Sequence, residues 1–244
     1  MDRRAWLDAQ RVSAEERYDR LYSPTYDDAS PITATHRRFV QKVIESCPPG
    51  GAILDAPCGT GRYFELVLGA GRTVVGIDQS AGMLARARAE HSEVVLEKVS
   101  LQELEFDGAF DAAMCIDAME YVCPEDWPRV VANLHRAVRG SGLIYVTVEQ
   151  IDAAEVASVF AEATAAGLPV VHGEKIWRDA GYHYYPTPDR VTRWLAAEGL
   201  EIVDEGLSRA RTHGYLHIVA RGQKPFDPLG RSVRPGMRPS RRRR

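Results

Sequence analysis

Apolar and polar positions fall in blocks along this chain, and the blocks predict strands and helices in turn. Between Ile32 and Cys47 the apolar residues Phe39, Val40, Val43 and Ile44 recur at helical intervals, and Pro48-Pro49-Gly50-Gly51 stops the run. Short apolar runs bounded by turn residues follow at Ala52–Ala56, Arg72–Ile77 and Glu93–Glu97, then in a stretch ending near Ile116, then at Leu143–Val148. Each reads as a buried strand. Between them, Arg62–Gly69, Ala81–His91 and Pro124–Val138 read as helices, with Ser80 placed to cap the second. Strands and helices alternating at this spacing predict a parallel sheet covered on both faces.

After Val148 the rhythm changes. Residues 152–166 predict an alanine-rich helix, and the stretch after it carries His172, Trp177, Tyr182, His183, Tyr184 and Tyr185. Aromatic rings with polar tips suit a binding pocket, so residues 151–186 are expected to form a cap over an acceptor. A helix over Asp189–Glu198 then precedes two strand-like runs, Leu200–Glu205 and Tyr215–Arg221. With no helix between them they must pair antiparallel, because a parallel pair needs a crossover. The fold class expected is α/β, a doubly wound, mostly parallel sheet ending in an antiparallel β-hairpin.

The stretch from Ile53 to Asp78 carries the candidate chemistry. Gly59 and Gly61 bracket a tight turn where a missing Cβ lets a ligand lie against the backbone. A helix starting near Gly61 would point unpaired N–H groups at that ligand. Asp78, nineteen residues beyond Gly59, stands where a carboxylate can accept from two ribose hydroxyls. An adenosine-containing cofactor fits this arrangement. A dinucleotide turn would want a third glycine, and Phe64 occupies that place.

What stands instead is an acid four residues before the first glycine, in Asp55-Ala56-Pro57-Cys58-Gly59-Thr60-Gly61. The segment resembles motif I of the class I S-adenosylmethionine-dependent methyltransferases, with Pro57 where that family usually has glycine. Phe110–Val122, an acid-bearing turn, an apolar strand and a polar tip, resembles motif IV of the same family. The resemblance covers roughly residues 32–221 and implies the Rossmann-like form of the predicted sheet.

That resemblance implies S-adenosylmethionine as cofactor, S-adenosylhomocysteine as product, and a methyl transfer by in-line displacement. It places Asp55, Ala56, Pro57, Gly59 and Gly61 around the methionine end of the cofactor, and Asp78 and Gln79 at the ribose. Ser100 and Leu101 are expected near the adenine, with Gln102 beside them, and Met83 is expected among the cofactor-binding residues. Asp117, at the carboxyl end of the fourth strand, borders cofactor or acceptor. Residues 1–31 are expected to fold over the site as a lid, with Tyr18, Tyr22, Tyr26 and His36 as candidate contacts and Tyr26 placed against the cofactor. His183 and Glu149 are the first choices for a general base, which an oxygen or protonated nitrogen acceptor would need, with Asp117, His172 and His36 behind them.

Composition narrows the partners. No apolar run among the 244 residues approaches the roughly 18–20 a membrane span needs, and no secretory leader is evident, so a cytoplasmic location is expected. Cys47, Cys58, Cys115 and Cys123 lack metal-site or disulfide spacing and read as buried thiols, and no metal is expected. Residues 222–244 hold eight basic residues against Asp227, so the net charge of −3 conceals a body near −10. An acidic body suits a small-molecule acceptor better than nucleic acid, and the tail is expected to be disordered. Three other readings stay open at this point: a methyltransferase recruited to RNA or protein by the arginine tail, a nicotinamide-dependent reductase on a similar sheet, against which Phe64 and the terminal hairpin argue, and a non-catalytic cofactor-binding module. Oligomeric state leaves no mark in the sequence.

Overall fold

The apolar runs become strands of one sheet. In the computed structural model, which describes residues 2–209 and 214–222, β1 (Ala52–Asp55), β2 (Thr73–Asp78), β3 (Val95–Lys98), β4 (Ala112–Cys115) and β5 (Leu143–Gln150) lie parallel. A second, two-stranded sheet pairs β6 (Glu174–Trp177) with β7 (Gly181–Tyr184). The last two strands, β8 (Leu200–Arg209) and β9 (Gly214–Gly222), pair antiparallel, and β9 runs antiparallel beside β5. The order across the main sheet is β3-β2-β1-β4-β5-β9-β8. This is the Rossmann-like, doubly wound sheet with its terminal hairpin. The chain reverses between β1 and β4, and open α/β sheets bind ligands outside the strand ends at such a point.

Helices cover both faces. On one, α3 (Ala34–Ser46), α4 (Phe64–Gly69) and α5 (Ala81–Glu90) bury Phe39, Val40, Val43, Phe64, Val67 and Leu84 against Ile53, Met114 and Tyr145. On the other, α6 (Trp127–Ala137) and α8 (Pro188–Ala197) pack Trp127, Val130, Leu134, Val191 and Leu195 against Leu54, Ile144 and Ile218. Central strands are buried on both sides, which is why they read as continuous apolar runs. All four cysteines are buried free thiols.

Three segments lie outside this frame. The N-terminal segment forms α1 (Arg3–Arg17), a π-helical turn over Tyr18–Tyr22, and the short α2 (Tyr26–Ala29). The 151–186 stretch forms α7 (Ala153–Ala165) and the β6–β7 hairpin. The two are joined: Trp6 meets Tyr182 edge to face at 5.8 Å, and Arg3 bonds the fully buried Glu174 at 2.9 Å and the exposed Glu125 at 2.5 Å. Tyr182 donates its hydroxyl to the same Glu174, at 2.7 Å. Residues 223–244, nearly all of the basic tail expected from the sequence, lie outside the described residues.

One element starts later than its sequence pattern suggests. The helix expected from Arg62 begins at Phe64, after a turn in which the Gly61 amide bonds Cys58 O and the Phe64 amide bonds Gly61 O, both at 2.9 Å. The Gly61 N–H therefore does not point at a ligand. Gly61 has φ +87° and a Cβ there would meet the Phe64 ring at 2.7 Å, so this glycine serves the turn and its packing.

Candidate active site

The carboxyl ends of the parallel strands open into a cleft of about 880 Å³ of empty space, part of it open to solvent. Its floor is the Pro57–Gly59 turn and Asp78. One wall is Gln79, Met83 and the Val99–Gln102 segment. Another is Ile116, Asp117, Ala118, Tyr121 and Val122. Arg11 and Ala14 of α1, with Tyr18 and Tyr26, form the roof.

Asp78 ends β2 and is 7% exposed. Its Oδ2 accepts from the Gly59 amide at 2.9 Å and its Oδ1 from the Ser80 amide at 2.7 Å. The carboxylate thus ties the glycine turn to the start of α5 and keeps further lone pairs for a ligand. Burial pushes its pKa up to about 6, against the pull of those two amides. Gly59 has φ +55°, and among the described residues a Cβ there would come within 4 Å of Tyr26 Cε1 alone, at 3.8 Å. Without that Cβ, the space between turn and roof stays open.

Asp55 lies deeper, at the end of β1, and is not among the cleft's lining residues. It is 1% exposed, and neither carboxylate oxygen has a hydrogen-bond partner among the described residues. Burial pushes its pKa up to about 8, Arg62 opposing and Asp78 adding to the rise. A buried carboxyl group lacking any donor calls for a partner that the chain does not supply.

Asp117 is held more tightly than any other acid of the cleft. It adopts φ +51°, a left-handed conformation that costs a residue with a Cβ of the order of 1 kcal/mol. Its amide donates to Thr147 Oγ1 at 2.7 Å, Oδ1 meets His36 Nε2 at 3.2 Å, and Oδ2 takes Arg62 Nη2 at 3.1 Å. Burial would raise this acid, but the His36 hydrogen bond and the His36 and Arg62 charges hold it below its ordinary value. His36 is fixed in turn by Thr33 Oγ1, 2.8 Å from Nδ1. Arg62 also lies over the Tyr26 and Tyr63 rings, at 5.0 and 5.3 Å from their centroids, and bonds Ser30 O.

Of the residues singled out from sequence, Pro57, Gly59, Asp78, Gln79, Met83, Ser100, Leu101, Asp117 and Tyr26 line the cleft. Asp55, Ala56 and Gly61 do not: Asp55 lies beneath the turn, the Ala56 amide is spent on Met114 O at 2.9 Å, and Gly61 faces Phe64. Of the lid candidates, Tyr18 lines the roof, while Tyr22 donates to Asp179 O at 3.0 Å and His36 reaches the site only through Asp117. The two general-base candidates lie behind the cleft wall. His183 is buried 4.7 Å from the Tyr121 ring, with Nε2 3.8 Å from Glu149 Oε2. His172 packs on Phe160 at 5.6 Å, and no residue of 151–186 lines the cleft. Sequence reasoning missed Arg11, Arg62, Tyr63 and Tyr121. Only Arg62 left a signal, as a cation directly after the second glycine.

Among the described residues no group of three or more His, Cys, Asp or Glu stands close enough to hold a metal ion, and no helix is long and apolar enough to cross a membrane.

Residues 53–142 match the family described as a methyltransferase domain. The chain is 31% identical over 165 residues to a ubiquinone biosynthesis O-methyltransferase of Rhizobium etli, an alignment covering 64% of this chain and 62% of that one. It thus spans about three-fifths of the length of the curated relatives it matches. The fold is similar to that of magnesium protoporphyrin IX methyltransferase from Synechocystis, solved with bound S-adenosylhomocysteine (TM-score 0.65, 14% identity, 87% of this chain and 99% of that one). It is also similar to Burkholderia thailandensis 1,6-didemethyltoxoflavin-N1-methyltransferase (TM-score 0.64, 18% identity, 88% and 90%). Motif, strand order and matched segment agree: residues 53–142 carry a methyltransferase domain, and the fold around it is similar to that of S-adenosylmethionine-dependent methyltransferases.

Proposed function

We propose that the protein transfers a methyl group from S-adenosylmethionine to a small-molecule acceptor bearing an oxygen or nitrogen nucleophile. The observation that carries this is the pair of buried acids, Asp55 and Asp78, at the tips of adjacent strands on either side of the glycine turn. Asp78, braced by two amides, has lone pairs left for a ribose diol. Asp55, with both oxygens unsatisfied, suits the ammonium of an amino-acid end. Met83 and Leu101 offer apolar surface to a purine, with Ser100 and Gln102 beside it.

Bound there, the cofactor supplies a methyl group on a sulfonium sulfur, a good leaving group. The chain's own work is alignment and exclusion of water. The α1 roof covers the cleft, and Asp117, kept ionised by His36 and Arg62, favours a cation in it. The small-molecule class draws on the acidic body and on the relatives' names.

The test is calorimetric titration with S-adenosylmethionine and S-adenosylhomocysteine, followed by incubation with methyl-labelled cofactor and fractionated small-molecule extract. Label is expected in a small-molecule fraction. Cofactor binding with no label leaving the cofactor would overturn methyl transfer, and label only in RNA or protein would overturn the acceptor class.

A further inference from the structure

Behind Tyr121 lies a group of side chains that cofactor binding leaves unused. Glu120 sits in the Met119–Tyr121 turn between the cleft-lining Ala118 and Tyr121, and is 4% exposed. Its Oε2 has no hydrogen-bond partner among the described residues. Glu149, near the end of β5, has an Oε2 in the same condition. The two carboxyl groups and Asp117 act on one another electrostatically, so three acids share one region at the ends of β4 and β5.

His183 Nε2 stands 3.8 Å from Glu149 Oε2, beyond hydrogen-bond distance, and the lysine and arginine within reach are already engaged. Lys175 pairs with Glu155 and lies 3.1 Å from the centroid of the Trp177 ring. Arg62 holds Asp117 and Ser30 O. The walls are rings: Tyr121 against His183 at 4.7 Å, and His183 stacked on Tyr185 at 6.0 Å. Tyr121, Tyr185 and Tyr215 all feel both glutamates, and that influence, after burial itself, keeps their hydroxyls protonated. Neutral rings beside buried acids form a wall that suits a cation.

Three acceptor classes can be weighed against this wall. An anion would bring a negative charge into a buried region already holding three acids that repel one another, the costliest arrangement. A neutral hydroxyl could donate one hydrogen bond and leave the other carboxyl unsatisfied. An ammonium brings two or three N–H donors, a compensating charge, and a cation–π contact worth about 0.5–2 kcal/mol.

We propose that Glu120 and Glu149, walled by Tyr121, His183, Tyr185 and Tyr215, seat a cationic amine, so that the acceptor is a small primary or secondary amine and the transfer is an N-methylation. The inference rests on the methyltransferase reading above. The bound ammonium gives one N–H proton to Glu149 Oε2, whose carboxylate becomes a carboxyl group, and the nitrogen keeps the electron pair that forms the new N–C bond as the methyl–sulfur bond breaks and its pair stays on the sulfur of S-adenosylhomocysteine. The N-methylated product is again an ammonium, and Glu149 passes its proton to water, so one proton is released per turnover. No other reactant is needed. Burial, against the Tyr185 hydrogen bond, puts the Glu149 pKa at about 7, with Asp117 adding to the rise and Lys175 opposing it, which suits this exchange at neutral pH.

The test uses benzylamine with its neutral and anionic counterparts, benzyl alcohol and benzoate, titrated calorimetrically into the full chain at neutral pH. Benzylamine is expected to bind at least tenfold more tightly than either. Glu120→Gln and Glu149→Gln should each weaken it tenfold or more, while S-adenosylhomocysteine affinity stays within threefold and thermal melting confirms folding. Equal or tighter binding of benzyl alcohol or benzoate, absent benzylamine binding, or benzylamine binding untouched in both variants would overturn the proposal. Loss of S-adenosylhomocysteine binding in the wild type alone would instead overturn the methyltransferase reading and leave the amine seat standing.

Discussion

Asp19 Oδ1 accepts hydrogen bonds from Ser80 Oγ at 2.6 Å and from the Gly82 amide at 2.9 Å, so a residue of the N-terminal lid caps the helix that follows the ribose-side acid. Those two bonds join the roof to the wall of the cleft. They oppose burial and hold the Asp19 pKa below its ordinary value. Replacing a helix-capping acceptor costs about 0.5–2 kcal/mol. Asp19→Ala should therefore weaken S-adenosylhomocysteine binding by roughly 3- to 30-fold and speed proteolysis within residues 2–30. Gly82→Ala should act in the same direction without changing charge, because its Cβ would meet Asp19 Cα at 2.8 Å. Limited proteolysis with and without ligand reads both variants.

Asp78→Ala removes the brace under Gly59 together with the ribose acceptor. Hydrogen bonds to charged groups contribute about 1.5–3 kcal/mol, so calorimetry should show affinity for S-adenosylhomocysteine falling by roughly 30-fold or more. Asp78→Asn keeps one acceptor oxygen and should fall between the variant and wild type.

The raised Asp55 pKa has a defined sign. A carboxyl whose folded pKa lies near 8, above its unfolded value, binds more protons folded than unfolded, so it lowers stability progressively as pH rises from about 4 to about 8. Asp55→Asn should remove that slope and raise the melting temperature of the ligand-free protein at pH 8 by several degrees. Asp117 has the opposite sign: its lowered pKa contributes stability at neutral pH that is lost on acidification through the carboxylate range. If an ammonium ionises Asp55 on binding, calorimetry in buffers of different ionisation enthalpy should detect proton release near pH 7.

Arg3→Ala would take the guanidinium from the fully buried Glu174 and leave it the Tyr182 hydroxyl and the Val171 amide, so the loss should fall below the about 3–5 kcal/mol of a buried pair broken to leave a bare charge. Arg3→Ala combined with Glu174→Gln should cost less than the sum of the single changes, as expected for residues in direct contact. Urea denaturation of the four proteins measures the coupling.

The sheet was legible because buried parallel strands must be apolar along their whole length, and Ile53, Leu54, Ile77, Ala113 and Ile144 show that plainly. The terminal hairpin followed from the absence of a helix between two strands. Asp78 and Gly59 were legible because spacing along a strand-turn-helix unit fixes their geometry locally. The roof was less so. Asp19, Arg62 and Tyr121 come together from segments tens of residues apart, and nothing local marks such meetings. The cap shows the same limit: its aromatic content is visible in sequence, but only the packing of Tyr182 on Trp6 and of His183 on Tyr121 shows that it backs the wall instead of lining it.

Helix α1 is anchored at one end through Arg3 and Trp6 to the 174–184 hairpin, and at the other through Asp19 to α5. A rod pinned at both ends cannot lift from one seat without straining the other. Nucleoside traffic on one side and changes in the hairpin on the other are thereby geared to a single lever, and a ligand that steadies either anchorage stiffens the whole span.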